Sequence, residues 1–146
     1  MALSPKLDAD GIEEIECLLE GLVRLDLSQL RRGLAPPIYQ SRVRYQREPH
    51  GREDWQSAVM CVRRGNADCE DLASWAAASY RLVGVNARAI VRQVGPGLKH
   101  VLTLLPDGRI EDPSKRMGMG AKKSNTLLVA GRRTDAPAAA ALRRVG

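Results

Sequence analysis

Gly65-Asn66-Ala67-Asp68-Cys69-Glu70-Asp71-Leu72-Ala73 reads as the start of a helix that carries a thiol in its first turn. Asp68 is the natural N-cap, and Asp71 stands three residues on, as in a short capping box. Beyond it Leu72, Ala73, Trp75, Ala76, Ala77, Tyr80 and Leu82 describe a helix from Cys69 to about Val83, ended by Gly84. A thiol in that first turn meets unpaired amides and the positive end of the helix dipole, both of which favour thiolate. Asp68, Glu70 and Asp71 push the other way. Cys69 is therefore a good nucleophile only beside an imidazolium, or if those carboxylates point away.

The residues downstream supply the imidazole and a further carboxylate. Two strand-like runs, Ala87 to Val94 and Lys99 to Leu105, flank Gly95-Pro96-Gly97, which reads as a hairpin loop. A third short strand ends at Asp112. Pro106-Asp107-Gly108 reads as a three-residue turn with Gly108 left-handed; it pairs Leu105 with Arg109 and hence Leu102 with Asp112. Asp112 then lies diagonal to His100 on one face, about 7–8 Å away between backbones, within reach of a hydrogen bond. A slip of one residue would send the two to opposite faces. Pro113 keeps Asp112 extended.

Cys69, His100 and Asp112 thus occur in the order of a cysteine-nucleophile triad. Such chemistry needs a thiolate to attack a carbonyl, an imidazole to take and return the proton, and a carboxylate to hold the imidazole. Each residue also has a plain structural explanation: a small buried thiol, a satisfied core histidine, an Asp-Pro turn. A metal site on the same residues would require a fourth ligand, for which His50 is the one spare imidazole, so neither metal nor cofactor is expected.

Upstream, Ile12, Ile15, Leu18, Leu19, Leu22 and Leu25 form a stripe at helical spacing from Asp10 to about Arg32, with Asp8 or Asp10 as cap and Gly33 then Pro36-Pro37 as the stop. Gln40 to Tyr45 alternates weakly, as an edge strand would. Asp54 is placed to cap a helix carrying Trp55, Ala58, Val59 and Val62 up to Arg64, stopped by Gly65. After Ser114 the pattern loosens into Met117-Gly118-Met119-Gly120, an apolar run at Thr126 to Ala130 and an Ala-rich end. We expect an α+β fold in which the nucleophile helix packs on a small antiparallel sheet, with an N-terminal amphipathic helix. The chain divides into an N-terminal helical segment at 1–34, a core at 35–114 and a basic extension at 115–146.

Length and charge are consistent with one domain. A chain of 146 residues buries about two-thirds of its unfolded surface. The net charge of +6 is uneven: from Ser114 onward the sum is +7, and the residues before it sum to −1. A basic arm on a near-neutral body suits an acidic protein surface or nucleic acid. The aromatic residues do not alternate with the basic pairs as a base-stacking platform would require. Cys17, Cys61 and Cys69 are odd in number and lack Cys-x-x-Cys spacing, so free thiols in a reducing compartment are expected. The first ten residues lack the apolar core of a signal peptide, and no run approaches the roughly 18 apolar residues of a membrane span. The expectation is a soluble, cytoplasmic protein without a membrane partner.

GNADCEDLA at 65–73, Arg81-Leu82-Val83-Gly84-Val85-Asn86-Ala87-Arg88, Lys99-His100-Val101 and Pro106 to Ser114 together resemble the transglutaminase-like superfamily, within the papain-like cysteine-triad class. The similarity covers residues 65–114, about a third of the chain. It implies a papain-like core with Cys69 as nucleophile, His100 as general base and acid, and Asp112 as the orienting carboxylate. The activity so implied is acyl transfer or amide and peptide hydrolysis through a thioester, on a protein or peptide substrate. Many active members carry an aromatic soon after the histidine, whereas Val101, Leu102 and Thr103 follow here. For the oxyanion, the Cys69 amide is one candidate donor, and Gln56, Trp55 and Gln46 are candidates for the second; spacing does not choose among them. The compact arrangement, with Trp55 before and Met117-Gly118-Met119 after, also resembles small transglutaminase-like proteins encoded among the structural genes of tailed bacteriophages. That likeness implies the host cytoplasm or the virion as location. It also implies an alternative role as a virion or assembly component with little turnover, contacting phage structural proteins.

Overall fold

The computed structural model describes residues 11–48 and 54–120. It is an α+β fold whose elements run α1 (Ile12–Arg31), β1 (Arg44–Tyr45), α2 (Ala58–Arg64), β2 (Asn66–Ala67), α3 (Cys69–Leu82), β3 (Arg88–Gly95), β4 (Leu98–Leu104), β5 (Ile110–Glu111) and α4 (Pro113–Arg116). β1 and β2 form a small parallel pair; β3, β4 and β5 form an antiparallel sheet in that order. Among the described residues no helix is long and apolar enough to cross a membrane.

α3 is the centre of the molecule. Every residue from Asp71 to Ser79 is buried, the mark of a helix enclosed on all sides rather than laid on a surface. Its alanines at 73, 76, 77 and 78 let neighbouring elements approach closely, and Trp75 fills the space between them. Of the polar groups that this burial strands, the Ser74 hydroxyl has no hydrogen-bond partner among the described residues, and others are satisfied from neighbouring elements. Trp75 Nε1 donates to the Pro36 carbonyl at 2.9 Å, and Ser79 Oγ accepts the Ile38 N–H at 3.0 Å. Thr103 Oγ1 on β4 donates to the Ala73 carbonyl at 3.0 Å, which fixes the sheet against the helix.

α1 covers the other side of α3 with Leu19, Leu22, Val23, Leu27 and Leu30. It also shields the free edge of β3, where Glu16 Oε2 accepts the Val91 N–H at 2.8 Å. Glu20 pairs with the Arg81 guanidinium at 2.6 and 2.8 Å, and Arg81 Nε reaches the Ala87 carbonyl, tying α1 to the end of α3.

Three local expectations change in the structure. Residues 40–45 yield only the two-residue β1, because a single turn of 3-10 helix occupies Ile38–Gln40, held by Ser79. α2 begins at Ala58 rather than after Asp54, because its first two amides are capped from α1: Asp26 Oδ1 accepts Ala58 N–H at 2.8 Å and Gln29 Oε1 accepts Val59 N–H at 3.1 Å. The stretch after Asp112 is a short helix, with Asp112 as N-cap and Pro113 at its first position. The expected caps Asp8 and Asp10, His50 and the basic run beyond Gly120 lie outside the described residues.

Candidate functional site

Cys69 is the first residue of α3. Asp68 Oδ1 accepts the Cys69 N–H at 2.7 Å, and a capping box joins Asp68 to Asp71: the Asp68 carboxylate accepts the Asp71 N–H and Asp71 Oδ2 accepts the Asp68 N–H at 3.2 Å. Each acid takes a further amide from the preceding segment: Asp68 Oδ2 from Glu48 at 3.3 Å, and Asp71 Oδ1 from Gln56 at 2.8 Å. The loop ahead of the nucleophile is therefore laced to its helix cap.

His100 lies on β4, and Asp112 follows β5 directly. Gly108 is left-handed (φ 90°), the Leu105 N–H donates to the Arg109 carbonyl at 2.8 Å, and Thr103 and Leu104 pair with Glu111 and Ile110. That register continues to Leu102 opposite Asp112. It brings His100 Nε2 to 2.9 Å from Asp112 Oδ2, with both side chains mostly buried. Asp112 Oδ1 accepts the Lys115 N–H at 3.3 Å, so the cap of α4 holds one oxygen while the imidazole takes the other. With Nε2 committed, Nδ1 is the ring nitrogen left for chemistry.

The Cys69 sulfur lies beside β4, where the backbone N–H of Val101, the residue after His100, favours its ionised form. Burial is the largest opposing influence, and Glu70 comes next. The thiol donates to Glu70 Oε2 at 3.1 Å, and together these hold its pKa well above the ordinary thiol range. Burial and the charge of Asp68 push Glu70 itself up to about 7. Burial pushes Asp71 up to about 8 and the nearby Tyr45 phenol up to about 12.

The candidate oxyanion donors sit on the segments flanking Cys69. Gln56 is buried, its N–H on Asp71 and its side-chain Oε1 without a hydrogen-bond partner. Trp55 is half-buried against the core, and Gln46 is exposed, its N–H on the Ala67 carbonyl at 2.9 Å. Gln56 alone of the three is bonded to the cap of the nucleophile helix.

Asp68, Cys69 and Glu70 each offer a ligand atom within 4.8 Å of the others, the group of described residues closest to a metal-binding arrangement. Their donors already serve the helix cap and the thiol bond, so a cation would compete with both.

Two features were not read from the sequence. Glu111, beside Asp112, accepts hydrogen bonds from Tyr39 Oη at 2.7 Å and from Tyr80 Oη, and Arg116 Nη1 lies 3.3 Å away. Arg116 also stacks on the Tyr39 ring at 3.7 Å. Buried Asp26 faces the start of α2, on a helical stripe that otherwise reads as apolar. Only the break in that stripe signals it. No protein-family model, curated protein or solved structure matches the chain.

Proposed function

We propose that the protein is a cysteine-dependent acyl transferase or amide hydrolase on a transglutaminase-like, papain-like core, working through a thioester on Cys69. The observation that carries this is the 2.9 Å bond between His100 and Asp112, on the strand whose next amide faces the Cys69 sulfur. In this mechanism Nδ1 of His100 takes the thiol proton as sulfur attacks the substrate carbonyl. The imidazolium returns that proton to the departing amine, and Asp112 stabilises the charged ring. Water then releases an acid, or a second amine forms a new amide. The Gln56 side-chain amide is the donor we assign to the developing oxyanion, because the Cys69 N–H expected for that role is taken by Asp68 Oδ1 at 2.7 Å. The substrate class is a protein or peptide.

Iodoacetamide alkylation of Cys69, followed by peptide mass mapping, tests the Cys69–His100 link. We expect His100→Ala to slow it at least tenfold near neutral pH, within the usual range for a general base, while exposed Cys17 keeps its rate. Equal Cys69 rates in the two proteins would overturn the triad.

The Cys69–Glu70 bond favours a second reading: a structural or adaptor protein, such as a virion or assembly component, that keeps this fold without turnover. Its basic extension would then contact an acidic protein surface or nucleic acid. In that case Cys69→Ser preserves partner binding and truncation after residue 120 abolishes it; the reverse pattern rejects it.

A further inference from the structure

Asp112 sits at a weak joint. The strand before it has two residues and the helix after it has four, and elements so short hold their geometry only through tertiary contacts. The orientation of its carboxylate toward His100 must therefore come from side chains nearby.

The side chain of Glu111 is where those contacts converge. One oxygen accepts from Tyr39, at the 3-10 turn, and receives Arg116 from α4; the other accepts from Tyr80, on the central helix. Three separately anchored elements thus grip the residue before Asp112. Arg116 closes the arrangement by stacking on Tyr39, so the helix that Asp112 caps is pinned at its far end as well. The Glu111 side chain is only 20% exposed, and its charge is met by two phenols and a guanidinium, so it is a satisfied polar network rather than a stray surface acid.

Resting on the triad assignment above, we propose that Glu111, held by Tyr39 and Tyr80, is a positioning residue for catalysis: it fixes the backbone from which Asp112 orients His100. It does not touch substrate or the reacting atoms. Its effect reaches the thiol only through Asp112 and the imidazole, and this separates it from a purely structural lock.

The test is a double-mutant cycle on Cys69 alkylation, with Cys17 as internal control. Tyr39→Phe with Tyr80→Phe removes both hydroxyl donors and keeps the rings. In the otherwise native protein we expect Cys69 labelling to fall about tenfold, since small misplacements of a catalytic group carry penalties up to that order and beyond. In an Asp112→Ala background the same pair should change nothing further. Equal falls in both backgrounds, or no fall in the first, would overturn the proposal. If the double variant loses its near-UV circular dichroism, Glu111→Gln, which keeps the volume and weakens the acceptors, is scored by the same two ratios. A His100→Ala protein that labels at the native rate would remove the triad and the clamp together, whereas a slow His100→Ala protein with unaffected tyrosine variants removes the clamp alone.

Discussion

Glu70→Gln is expected to make Cys69 more reactive, against the usual outcome of changing a side chain beside a nucleophile. Glu70 Oε2 accepts the thiol proton at 3.1 Å, and a hydrogen bond to a charged group contributes about 1.5–3 kcal/mol. That energy favours thiol over thiolate. The amide removes the negative charge and offers an N–H to the sulfur, so the thiol pKa should fall by about 1–2 units at 1.36 kcal/mol per unit. Far below the pKa this raises the thiolate fraction about 10- to 100-fold. Intrinsic nucleophilicity falls with a Brønsted coefficient of about 0.4–0.5, leaving a net gain of about three- to tenfold. Burial and then the charge of Asp68 push Glu70 up to about 7, and it faces Asp71 and Glu48 besides the thiol itself. The carboxylate is charged above that pH, so the gap between variant and native protein should widen as pH rises through 7. The assay is iodoacetamide alkylation from pH 6 to 9, read at Cys69 and Cys17 by peptide mass. An unchanged or slower Cys69 in a folded variant would refute the assignment of Glu70 as the residue that restrains the thiol.

Two predictions concern stability. Burial pushes Asp26 up to about 8 from an ordinary carboxylate value, so the native state keeps a proton that the unfolded chain releases. Its contribution is fully present below about pH 4 and is lost as pH rises toward 8; Asp26→Asn, which retains the acceptor for Ala58, should flatten that decline and raise stability at pH 8 by at least about 1 kcal/mol. Urea unfolding at pH 5 and pH 8 measures this, and an equal slope in both proteins contradicts it. Asp68→Ala removes the acceptor of the Cys69 amide and should cost about 1 kcal/mol; no shift in the urea midpoint would mean that the cap contributes nothing.

Signals carried by neighbouring residues were readable in the chain. The Pro106-Asp107-Gly108 turn determined the β4–β5 register, because a three-residue loop with a left-handed glycine leaves one pairing, and that register brings His100 to Asp112. The Asp68–Asp71 spacing located the start of α3 to the residue. What escaped was set by partners distant in sequence. Asp54 is a reasonable cap by spacing, yet α2 starts four residues later because Asp26 and Gln29 of α1 supply its acceptors. Asp112-Pro113 carries a local helix-start signature, yet its spacing reads equally as an extended strand end or a turn. Glu111 looks like an ordinary outward acid until Tyr39 and Tyr80 arrive from elements 72 and 31 residues away in sequence.

The three acids around Cys69 show the same division at the level of chemistry. By spacing alone they are equivalent, each one to two residues from the thiol and each expected to suppress the thiolate. The fold makes them unequal. Asp68 accepts three backbone amides and Asp71 two, so much of their charge is spent on the helix start and on the Glu48 and Gln56 segments. Glu70 alone turns its carboxylate to the sulfur. Beyond burial, restraint of the nucleophile thus rests mainly on one side chain that does not cap the helix, so it can be altered without dismantling the α3 cap. A residue in that position can tune reactivity independently of folding, which neither Asp68 nor Asp71 can do.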